Sequence, residues 1–487
     1  MGRGHTTVDG RYSLKEKCGV LAAYSLSGYD VAPMLVRGLE ALQHRGQESW
    51  GIRVRGHKTF RRMGLAVEGL SGRVLDWKGQ SGIGHVRYST KGRTILENAH
   101  PIDIGEDFSL AQNGTIANHE NLFARMKGEF SLNHSVTDTK LLGLRLQQSL
   151  RGGDDWFTAM EKVSHELTGA YSLVFITNEG DIYAARDPQG FRPLSLGYHI
   201  PTSTYLVASE SCAFASVDAK LIRDIRPGEI VKVNKEGLLS RLFAKRVQKA
   251  HCSFEYTYFA HPSSIIEGIS VYEARKRVGR LLAQRVPLKG DVVIPVPDSA
   301  RPAALGYSEE SGIPMEEGLM KDRYRKRGTM RSFIEPSQGS RAEIVKQMIP
   351  ITSTVVGKDV ILVDDSVVRG TSSKIVVRVL RNAGAKSVKI VVTFPPVRHP
   401  CYMGIDFPTR QELVARGPIR GDKDLTEISK TVASRIDADQ VVYNDSSNLS
   451  KGIGLPLTDL CHSCTTGNYS CLGTPTLNFK TRTQMKS

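Results

Sequence analysis

The pattern of apolar and polar positions divides the 487-residue chain into two halves of different character. Up to about residue 245, short β-like runs alternate with glycine-containing and polar turns. Two such runs within 170–187 are joined by "NEG", which predicts a hairpin. Leucines at steps of three and four residues predict a helix over 138–150. Strand clusters with a few helices favour an α+β domain of stacked antiparallel sheets, layered αββα.

The second half contains short runs that are apolar almost throughout, as expected of strands buried on both faces. These runs are "GDVVIPVPDSA", "KDVILVDDSV" and "KSVKIVVTFPP". Between the last two lies "TSSKIVVRVLRNAGAK", whose helical pattern ends at Gly384. A strand, a helix and a second strand in this order form a βαβ unit. The second half is therefore predicted to be an α/β domain with a parallel, doubly wound sheet.

Composition and turn signals suggest four segments along the chain. A polar, glycine-containing leader occupies 1–17, the first domain 18–250, the second domain 251–450, and an irregular tail 451–487. The chain has neither an apolar run of membrane-spanning length nor a secretory signal. We therefore expect a cytoplasmic protein without a membrane partner.

The charge balance indicates anionic partners. Lys and Arg number 66 against 50 Asp and Glu, a net charge of +16. Such an excess suits nucleic acid, a membrane surface or phosphorylated metabolites. The densest basic cluster is "KDRYRKRGTMR" at 321–331. Seven cysteines are too few for a disulfide scaffold in a chain this long, and four of them lie in its last fifth.

The string "VILVDDSVVRGTSS" at 360–373 predicts a phosphate site. An apolar strand ends in Asp364 and Asp365, a short loop follows, and a helix begins after Gly370. Ligands of parallel sheets bind at the carboxyl ends of strands, and a helix N-terminus with Thr371 and Ser372 suits an anion. Two carboxylates would repel a phosphate unless sugar hydroxyls or Mg²⁺ lie between them.

This string resembles the phosphoribosyl pyrophosphate (PRPP) signature of type I phosphoribosyltransferases. In that family the acidic pair binds the ribose hydroxyls, and the loop after it holds the 5-phosphate. "VIPVPDSA" ends a further strand with Asp298 and Ser299, which are placed to meet pyrophosphate or its metal. The basic stretch 321–341 is of the kind that closes over a polyanion and excludes water.

Five stretches of the first half carry a second resemblance. They are "CGVLAAYS" from Cys18, "LQHRGQESWGI", "GHVRYST", "AQNGTIANHENL" and "TDTKLL". In this order they resemble the class II, N-terminal-nucleophile glutamine amidotransferases. Joined to the PRPP signature, they resemble one family, the glutamine phosphoribosylpyrophosphate amidotransferases, over nearly the whole chain. That resemblance implies that ammonia from glutamine attacks C1 of PRPP, giving 5-phosphoribosylamine, glutamate and pyrophosphate at the first step of purine synthesis.

The resemblance gives Cys18 the role of nucleophile. A thiol with a pKa of about 8.5 is mostly protonated at neutral pH, so it needs a base. An α-amino group with a pKa near 8 can serve, provided that Cys18 is the first residue of the mature protein. Residues 1–17 would then be a propeptide. By the same resemblance, Asn113 and the N–H of Gly114 form an oxyanion hole, while Arg87, Thr90 and Asp138 bind glutamine.

In the second domain the resemblance implies a Mg²⁺ site and a PRPP site. The Mg²⁺ positions are Ser299, Asp364 and Asp365. The PRPP positions are Lys321, Tyr324, Arg331, Asp364, Asp365, Ser366, Arg369, Gly370, Thr371 and Ser372. The stretch "YRKRGTMRSFI" is longer than the family's tyrosine-to-arginine spacing, so Arg325 and Arg327 stay open as alternatives to Arg331.

Cys461 and Cys464 form one CxxC, which by itself fits zinc, a redox pair or an iron–sulfur cluster. Together with Cys252 and Cys401 they resemble the family branch that carries a structural [4Fe–4S] cluster. A zinc site with four thiolates and unliganded thiols stay open. Cys212 and Cys471 receive no role.

A PRPP-sensing regulatory protein on a phosphoribosyltransferase fold is the alternative function. The positive charge favours it, but a regulator has no use for Cys18, Asn113 and Asp138 in this arrangement. The expected substrates are glutamine and PRPP, and nucleic acid is not an expected partner. Members of the family form homotetramers and are inhibited by purine nucleotides, which we expect here by resemblance alone.

Overall fold

The computed structural model describes residues 18–69, 74–88, 95–130, 132, 136–244, 248–321, 348–405, 407, 409–416 and 423–472. The chain divides into two compact units. The first, called here the sandwich unit, comprises residues 16–274, 400–406 and the chain from 453 onward. The second, called the parallel-sheet unit, comprises residues 275–399 and 407–452.

The sandwich unit is built mainly from β-strands. In chain order they are β1 Gly19–Ser25, β2 Ser49–Val54, β3 Phe60–Met63, β4 Ser81–Arg87, β5 Ile102–Ile104, β6 Phe108–Ile116, β7 Gly169–Thr177, β8 Ile182–Arg186, β9 Ser195–His199, β10 Thr204–Ala208, β11 Lys220–Asp224, β12 Glu229–Asn234, β13 Gly237–Leu242, β14 His251–Cys252, β15 Ile265–Ile266 and β16 Ile269–Ser270. The predicted hairpin is confirmed by β7 and β8, which pair antiparallel.

Strands β1 to β13 form two antiparallel sheets that pack face to face, while β15 pairs with β16. One has seven strands in the order β11-β9-β10-β1-β4-β2-β3, and the other has six in the order β13-β12-β8-β7-β6-β5. Strand β1 is central in its sheet, since Leu21 pairs with Ala208 on one side and with Gly84 on the other. Val20 and Ala22 of β1 share a buried cluster with Ala111 of the other sheet.

Helices cover the outer faces of the two sheets. They are α1 Ala32–Ala41, α2 His119–Met126, α3 Asp138–Arg151, α4 Trp156–Ser164 and α5 Cys212–Ala215. Leu35 of α1 and Phe214 of α5 pack on the seven-stranded sheet, while Leu142 of α3 and Val163 of α4 pack on the six-stranded sheet. The predicted αββα layering is therefore confirmed. Helix α3 begins where the leucine pattern predicts, because Thr137 caps it by accepting a hydrogen bond from Lys140 N at 3.2 Å.

The second part of the chain contains strands β17 Val292–Pro295, β18 Leu319–Lys321, β19 Met348–Pro350, β20 Asp359–Asp364, β21 Ser387–Val392 and β22 Gln440–Tyr443. Its helices are α6 Val271–Arg285, α7 Arg301–Ser311, α8 Thr352–Val355, α9 Thr371–Asn382, α10 Lys423–Ile436 and α11 Ser446–Ile453. Strands β17, β20, β21 and β22 form a parallel sheet in the order β17-β20-β21-β22.

Both faces of this parallel sheet are buried, as the apolar runs predict. Leu362 of β20 lies in one cluster with Val377 of α9 and Val432 of α10. Its neighbour Ile361 lies in a different cluster with Tyr307 of α7. Successive side chains point to opposite faces of a strand, so helices cover the sheet on both sides. The predicted doubly wound domain is confirmed.

The end of the described chain returns to the sandwich unit. It contains β23 Leu460–Cys461 and α12 Ser463–Thr466, and β23 pairs in parallel with β14. This pairing sets Cys461 beside Cys252, which lies far earlier in the chain. Across the part of the chain that the structure describes, we find no helix with the length and apolar character that a membrane span requires.

Candidate functional site

The residues predicted to bind and hydrolyse glutamine lie in or beside the strands of the sandwich unit. Cys18 directly precedes β1, Arg87 ends β4, Asn113 and Gly114 lie in β6, and Asp138 is the first residue of α3. All except the half-buried Cys18 and Gly114 are buried. Thr90 lies outside the described residues.

Hydrogen bonds hold both the main chain and the side chain of Cys18. Arg45 Nε donates to the Cys18 carbonyl oxygen at 3.0 Å. The thiol donates to the carbonyl oxygen of Tyr88, with Sγ and O separated by 3.6 Å. Val20, the second residue of β1, donates its N–H to Ser209 Oγ at 3.0 Å. The thiol is thus held at the start of a central strand.

Ser209 connects this strand to the predicted oxyanion hole. Its hydroxyl oxygen also accepts from Asn113 Nδ2 at 3.3 Å, so one side chain touches both β1 and β6. Gly114 has a φ of +136°, and a Cβ built there would lie 2.1 Å from the Ala170 carbonyl oxygen. Only glycine fits this position, and β7 approaches β6 closely there.

Asp138 joins the start of α3 to the end of β6. Its Oδ2 accepts from the Ile116 N–H and its Oδ1 from the Thr139 N–H, both at 2.9 Å. A carboxylate at a helix N-terminus is stabilised by the unpaired N–H groups there. The two bonds orient this carboxylate beside the strand that carries Asn113 and Gly114.

A buried ion network supports the Cys18 carbonyl, and none of its members has a role predicted from the sequence. Arg45 pairs with Glu210 and, through both of its terminal nitrogens, with Glu255 at 3.0 and 2.8 Å. Arg192 donates to the same Glu255 at 2.9 Å. Burial alone would raise the pKa of the Glu210 carboxyl, but His44 and Arg45 hold it well below its usual range. The network is therefore ionised and stays so on acidification.

The sequence contains a signal that points to part of this network. Arg45 stands inside the quoted stretch "LQHRGQESWGI", and Ser209 and Glu210 follow the apolar strand "TYLVA". Charged residues that adjoin buried strands indicate either a site or an ion pair, but the sequence does not say which charges meet. Among the described residues, His44, Glu210 and Cys212 offer ligand atoms within 4.8 Å of one another. Because Glu210 is already paired with Arg45, this group is part of the ion network.

In the parallel-sheet unit the predicted acids meet at the carboxyl edge of the sheet. Asp364 ends β20, Asp298 and Ser299 follow β17, and these two strands are neighbours. Ser299 Oγ donates to Asp365 Oδ2, and the Asp365 N–H donates to Asp364 Oδ1 at 2.9 Å. Burial and the neighbouring Asp365 charge raise the pKa of Asp364 well above its usual range. Two crowded carboxyls of this kind favour a hydroxyl-bearing or cationic ligand.

The predicted phosphate loop leads into the N-terminus of α9. Gly370 has a φ of +80° and precedes Thr371 and Ser372, the first residues of the helix. A Cβ at Gly370 would lie 2.9 Å from Ile436 Cγ2, so the loop also packs closely against α10. N–H groups in the first turn of a helix suit an anion, as the sequence predicts for this loop.

The remaining predicted residues lie around this edge. Ser366 Oγ donates to Asp365 Oδ1 at 3.1 Å, and Arg369 lies 3.4 Å from Glu412. Lys321 ends β18 and donates to Asp298 at 2.8 Å, so it reaches the same edge. Tyr324 and Arg331 lie outside the described residues, as do the alternatives Arg325 and Arg327.

Four predicted cysteines line one small cavity inside the sandwich unit. Cys252 of β14, Cys461 of β23, Cys464 of α12 and the loop residue Cys401 surround it. Its remaining lining is largely apolar, with Phe191, Phe254, Met403 and Ile405. Burial raises the pKa of Cys401 to about 11 and that of Cys464 well above the usual range. None of the seven cysteines forms a disulfide bond. Buried, protonated thiols that share one cavity suit a ligand that binds them as thiolates.

The four sulfur atoms do not form one compact group. Among the described residues, these four cysteines contribute no group of three ligand atoms within 4.8 Å of one another. Cys471, which the sequence analysis left without a role, lies beside them, with Sγ 3.5 Å from Ser463 Oγ.

Comparisons with known proteins agree with both units. A model described as the glutamine amidotransferase domain matches residues 85–216, and one described as the phosphoribosyl transferase domain matches residues 270–422. The amidophosphoribosyltransferase of Pyrococcus horikoshii is 43% identical, covering 94% of this chain and 97% of that protein. That of Methanocaldococcus jannaschii is 39% identical, with coverages of 93% and 97%.

A solved structure extends the similarity to three dimensions. It is that of the glutamine PRPP amidotransferase from B. subtilis complexed with ADP and GMP, and it matches with a TM-score of 0.81 and 36% identity. The match covers 93% of this chain and 97% of that one. The fold and its two sites therefore define a glutamine-dependent transferase with an N-terminal-nucleophile amidotransferase part and a phosphoribosyltransferase part.

The chain belongs to the amidophosphoribosyltransferase family. The predicted function, amidophosphoribosyl transfer at the first step of purine biosynthesis, is confirmed at the level of this family. The regulatory alternative is not favoured.

Proposed function

We propose that the chain hydrolyses glutamine at Cys18 and passes the ammonia to C1 of PRPP, giving 5-phosphoribosylamine, glutamate and pyrophosphate. The observation that carries this proposal is the fixed start of β1. There the Cys18 carbonyl is held by Arg45, and Ser209 joins β1 to the strand of Asn113 and Gly114. The same chain carries an acid pair and a phosphate-type helix N-terminus on a parallel sheet.

In the first half-reaction the Cys18 thiolate attacks the side-chain amide carbon of glutamine. The proton of the thiol passes to the α-amino group of Cys18 and then to the leaving nitrogen, which departs as ammonia. Asn113 Nδ2 and the Gly114 N–H stabilise the oxyanion that forms in this step. Water then hydrolyses the thioester to give glutamate and the free thiol. Arg87 suits the α-carboxylate of glutamine, Asp138 suits its α-amino group, and Thr90 supplies a further contact.

This step requires that residues 1–17 are removed, because an internal Cys18 has no α-amino group. We therefore propose that they form a propeptide. The wider division into a glutaminase segment 18–250, a transferase segment 251–450 and a tail 451–487 stays a prediction. The intact mass of the active protein tests the propeptide, since a retained leader in fully active material contradicts it.

In the second half-reaction ammonia forms a bond to C1 of PRPP while the C1–O bond to pyrophosphate breaks. Asp364 and Asp365 suit the ribose hydroxyls, while Ser366, Arg369, Gly370, Thr371 and Ser372 suit the 5-phosphate. Lys321, Tyr324 and Arg331 suit the pyrophosphate. Ser299, Asp364 and Asp365 form an oxygen donor set that fits Mg²⁺, which neutralises the charge of leaving pyrophosphate when bound.

We propose that Cys252, Cys401, Cys461 and Cys464 hold a [4Fe–4S] cluster with a structural role. Four thiols in one largely apolar cavity fit the donor set of such a cluster. Protein purified without oxygen should contain about four iron and four acid-labile sulfide per chain. A Cys461→Ser variant should lose both, and Cys212→Ser should keep them. Stoichiometric zinc instead of iron contradicts the proposal.

The decisive experiment compares two nitrogen donors. Cys18→Ala should lose PRPP-dependent glutamate release from glutamine, yet keep the release of pyrophosphate from PRPP with ammonia as donor. Glu161→Gln, whose pair with Arg241 is exposed on both sides, is the control and should keep both activities. Glutamine-dependent activity in Cys18→Ala, or no pyrophosphate release from the wild type with either donor, overturns the proposed function.

Further properties follow from the relatives. The B. subtilis structure is a complex with ADP and GMP, which supports purine nucleotides as inhibitors here. We also propose a homotetramer that works in the cytoplasm, with glutamine and PRPP as its partners and neither nucleic acid nor a membrane. Sedimentation at working concentrations and inhibition assays with each nucleotide test the assembly and the regulation.

A further inference from the structure

Two buried histidines hold the strand that carries the oxyanion residues. His85 of β4 and His100, which precedes β5, lie with their ring centroids 4.4 Å apart. Both contact the main chain of Gln112, the residue before Asn113. His85 Nε2 lies 3.0 Å from the Gln112 carbonyl oxygen, and the Gln112 N–H donates to His100 Nδ1 at 3.3 Å. We call His85, His100 and the main chain of Gln112 the histidine clamp.

The partners fix the tautomer of each ring. A carbonyl oxygen only accepts hydrogen bonds, so His85 carries its proton on Nε2. An N–H only donates, so Nδ1 of His100 has no proton and Nε2 carries it. His85 Nδ1 finds no hydrogen-bond partner among the described residues, so no acceptor there faces a second N–H of this ring. Both rings are therefore neutral.

Burial supports this protonation state. His85 is fully buried, and burial lowers its pKa to about 3. Burial likewise lowers the pKa of His100 well below its usual value, with further lowering by His85 and by the charge of Arg87. A doubly protonated His100 would point an N–H at the N–H of Gln112 and break the clamp.

The clamp lies where strand pairing ends. Strand β5 pairs with β6 only between Phe108 and Leu110, so on this side Gln112 lies beyond the paired residues of β5. The two imidazoles provide the donor and the acceptor that a further residue of β5 would provide. Main-chain groups of alternate residues face the same edge of a strand, so the Gly114 N–H faces the edge that the clamp occupies.

We propose that His85 and His100 are positioning residues for glutamine hydrolysis, which hold β6 so that Asn113 and the Gly114 N–H are aimed at the oxyanion. The inference rests on the proposed glutaminase activity of Cys18. Neither histidine touches the substrate in this view. Loss of one oxyanion donor lowers kcat by about 10² to 10³, so misaligned donors should lower it by a part of that.

The test separates positioning from a general structural role. His85→Phe and His100→Phe keep ring volume but remove the bond to Gln112. Each should lower kcat for glutamine hydrolysis at least tenfold, change the KM for glutamine less than threefold, and leave ammonia-dependent pyrophosphate release within twofold of wild type. His85→Gln, whose amide N–H can still donate, should recover part of the loss. The double Phe variant should lose little more than one single variant, because either change opens the clamp.

Three results overturn the inference. One is an unchanged kcat in both Phe variants, and another is an equal loss of glutamine- and ammonia-dependent activity. A third comes from ¹⁵N NMR of histidine-labelled wild type, which needs no variant to fold. It should show both rings neutral and protonated on Nε2 at pH 7, so imidazolium or Nδ1–H rings contradict the clamp. An inactive wild type would overturn the proposed function instead, and the NMR would still report on the clamp.

Discussion

Arg45 brings a positive charge into a fully buried position, where Glu210 and Glu255 neutralise it. An isolated buried charge is strongly unfavourable, and oppositely charged partners offset the cost of its burial. The Arg45 side chain in turn fixes the Cys18 carbonyl. A residue to which the sequence pattern assigns no role thus holds the main chain of the proposed nucleophile.

Removing one carboxylate of this network should be costly. Glu210→Gln leaves part of the buried Arg45 charge uncompensated, and breaking a buried ion pair costs about 3–5 kcal/mol. We expect the thermal midpoint of the variant to fall by at least about 5 °C, with a matching loss of glutaminase kcat. Glu161→Gln is the matched control, since its pair with Arg241 is exposed on both sides. A midpoint of Glu210→Gln equal to that of Glu161→Gln contradicts the role of the network.

At the scale of single residues, the sequence predicts which side chains carry the chemistry better than it predicts which side chains contact one another. Cys18, Asn113, Asp138 and the pair Asp364–Asp365 stand in ordered motifs, so their residue types and spacing identify them. Glu255 and Ser209 stand in no such motif. Their importance depends on the buried groups that they contact, and those groups lie far away in the sequence. The same holds for His100, whose partner is a main-chain N–H.

Helix α9 shows how an element positions the proposed phosphate site. Its first turn presents N–H groups at the carboxyl edge of the sheet, and Gly370 allows the chain to enter it with φ +80°. The helix also packs on the sheet through Val376, Val377 and Leu380. A phosphate held there gains from a helix that is itself anchored.

Gly370→Ala should therefore impair PRPP binding. The added Cβ would meet Ile436 and Val414 at 2.9 and 3.1 Å and would disfavour the backbone conformation. We expect at least a tenfold rise in the KM for PRPP with glutamine or ammonia as donor. Gly312→Ala is the control, because its φ is +72° but nothing lies within 4 Å of the added Cβ. This control isolates backbone strain. Equal changes in the KM for PRPP in the two variants would show that the contacts of the added Cβ at position 370 do not matter.

Local sequence patterns predict helices and strands, but they do not predict which strands pair when these lie far apart in the chain. The hairpin β7–β8 and helices α3 and α9 follow from periodicity and turn residues close together in sequence. The pairing of β14 with β23 sets Cys252 beside Cys461, yet two-residue strands have no periodicity to detect. The same limit hid the return of 400–406 and the chain from 453 to the sandwich unit.

For the molecule as a whole, buried neutral histidines predict acid lability of the sandwich unit. His85 and His100 stay unprotonated when folded, with Arg87 and Arg61 adding repulsion to a proton on His100, whereas the unfolded chain binds protons from about pH 6.5 downward. The folded state then holds fewer protons, so stability rises with pH in this window. Each histidine contributes up to about 1.4 kcal/mol per pH unit, down to about pH 3 for His85.

Thermal midpoints measured between pH 7 and pH 4 check this expectation. The wild-type midpoint should fall steadily below about pH 6.5, and His85→Gln should flatten the slope. His165→Gln, at an exposed position, should leave the slope unchanged. Parallel slopes in all three proteins would mean that the acid sensitivity arises elsewhere.

The return of the late segments to the sandwich unit has a consequence for biosynthesis. A ribosome adds about 5–20 residues per second, so roughly 10 to 40 seconds separate the appearance of β14 from that of its partner strand β23. Until then the cysteine cavity lacks Cys461 and Cys464. Any ligand that needs all four thiols can therefore enter only chains already released from the ribosome or close to release.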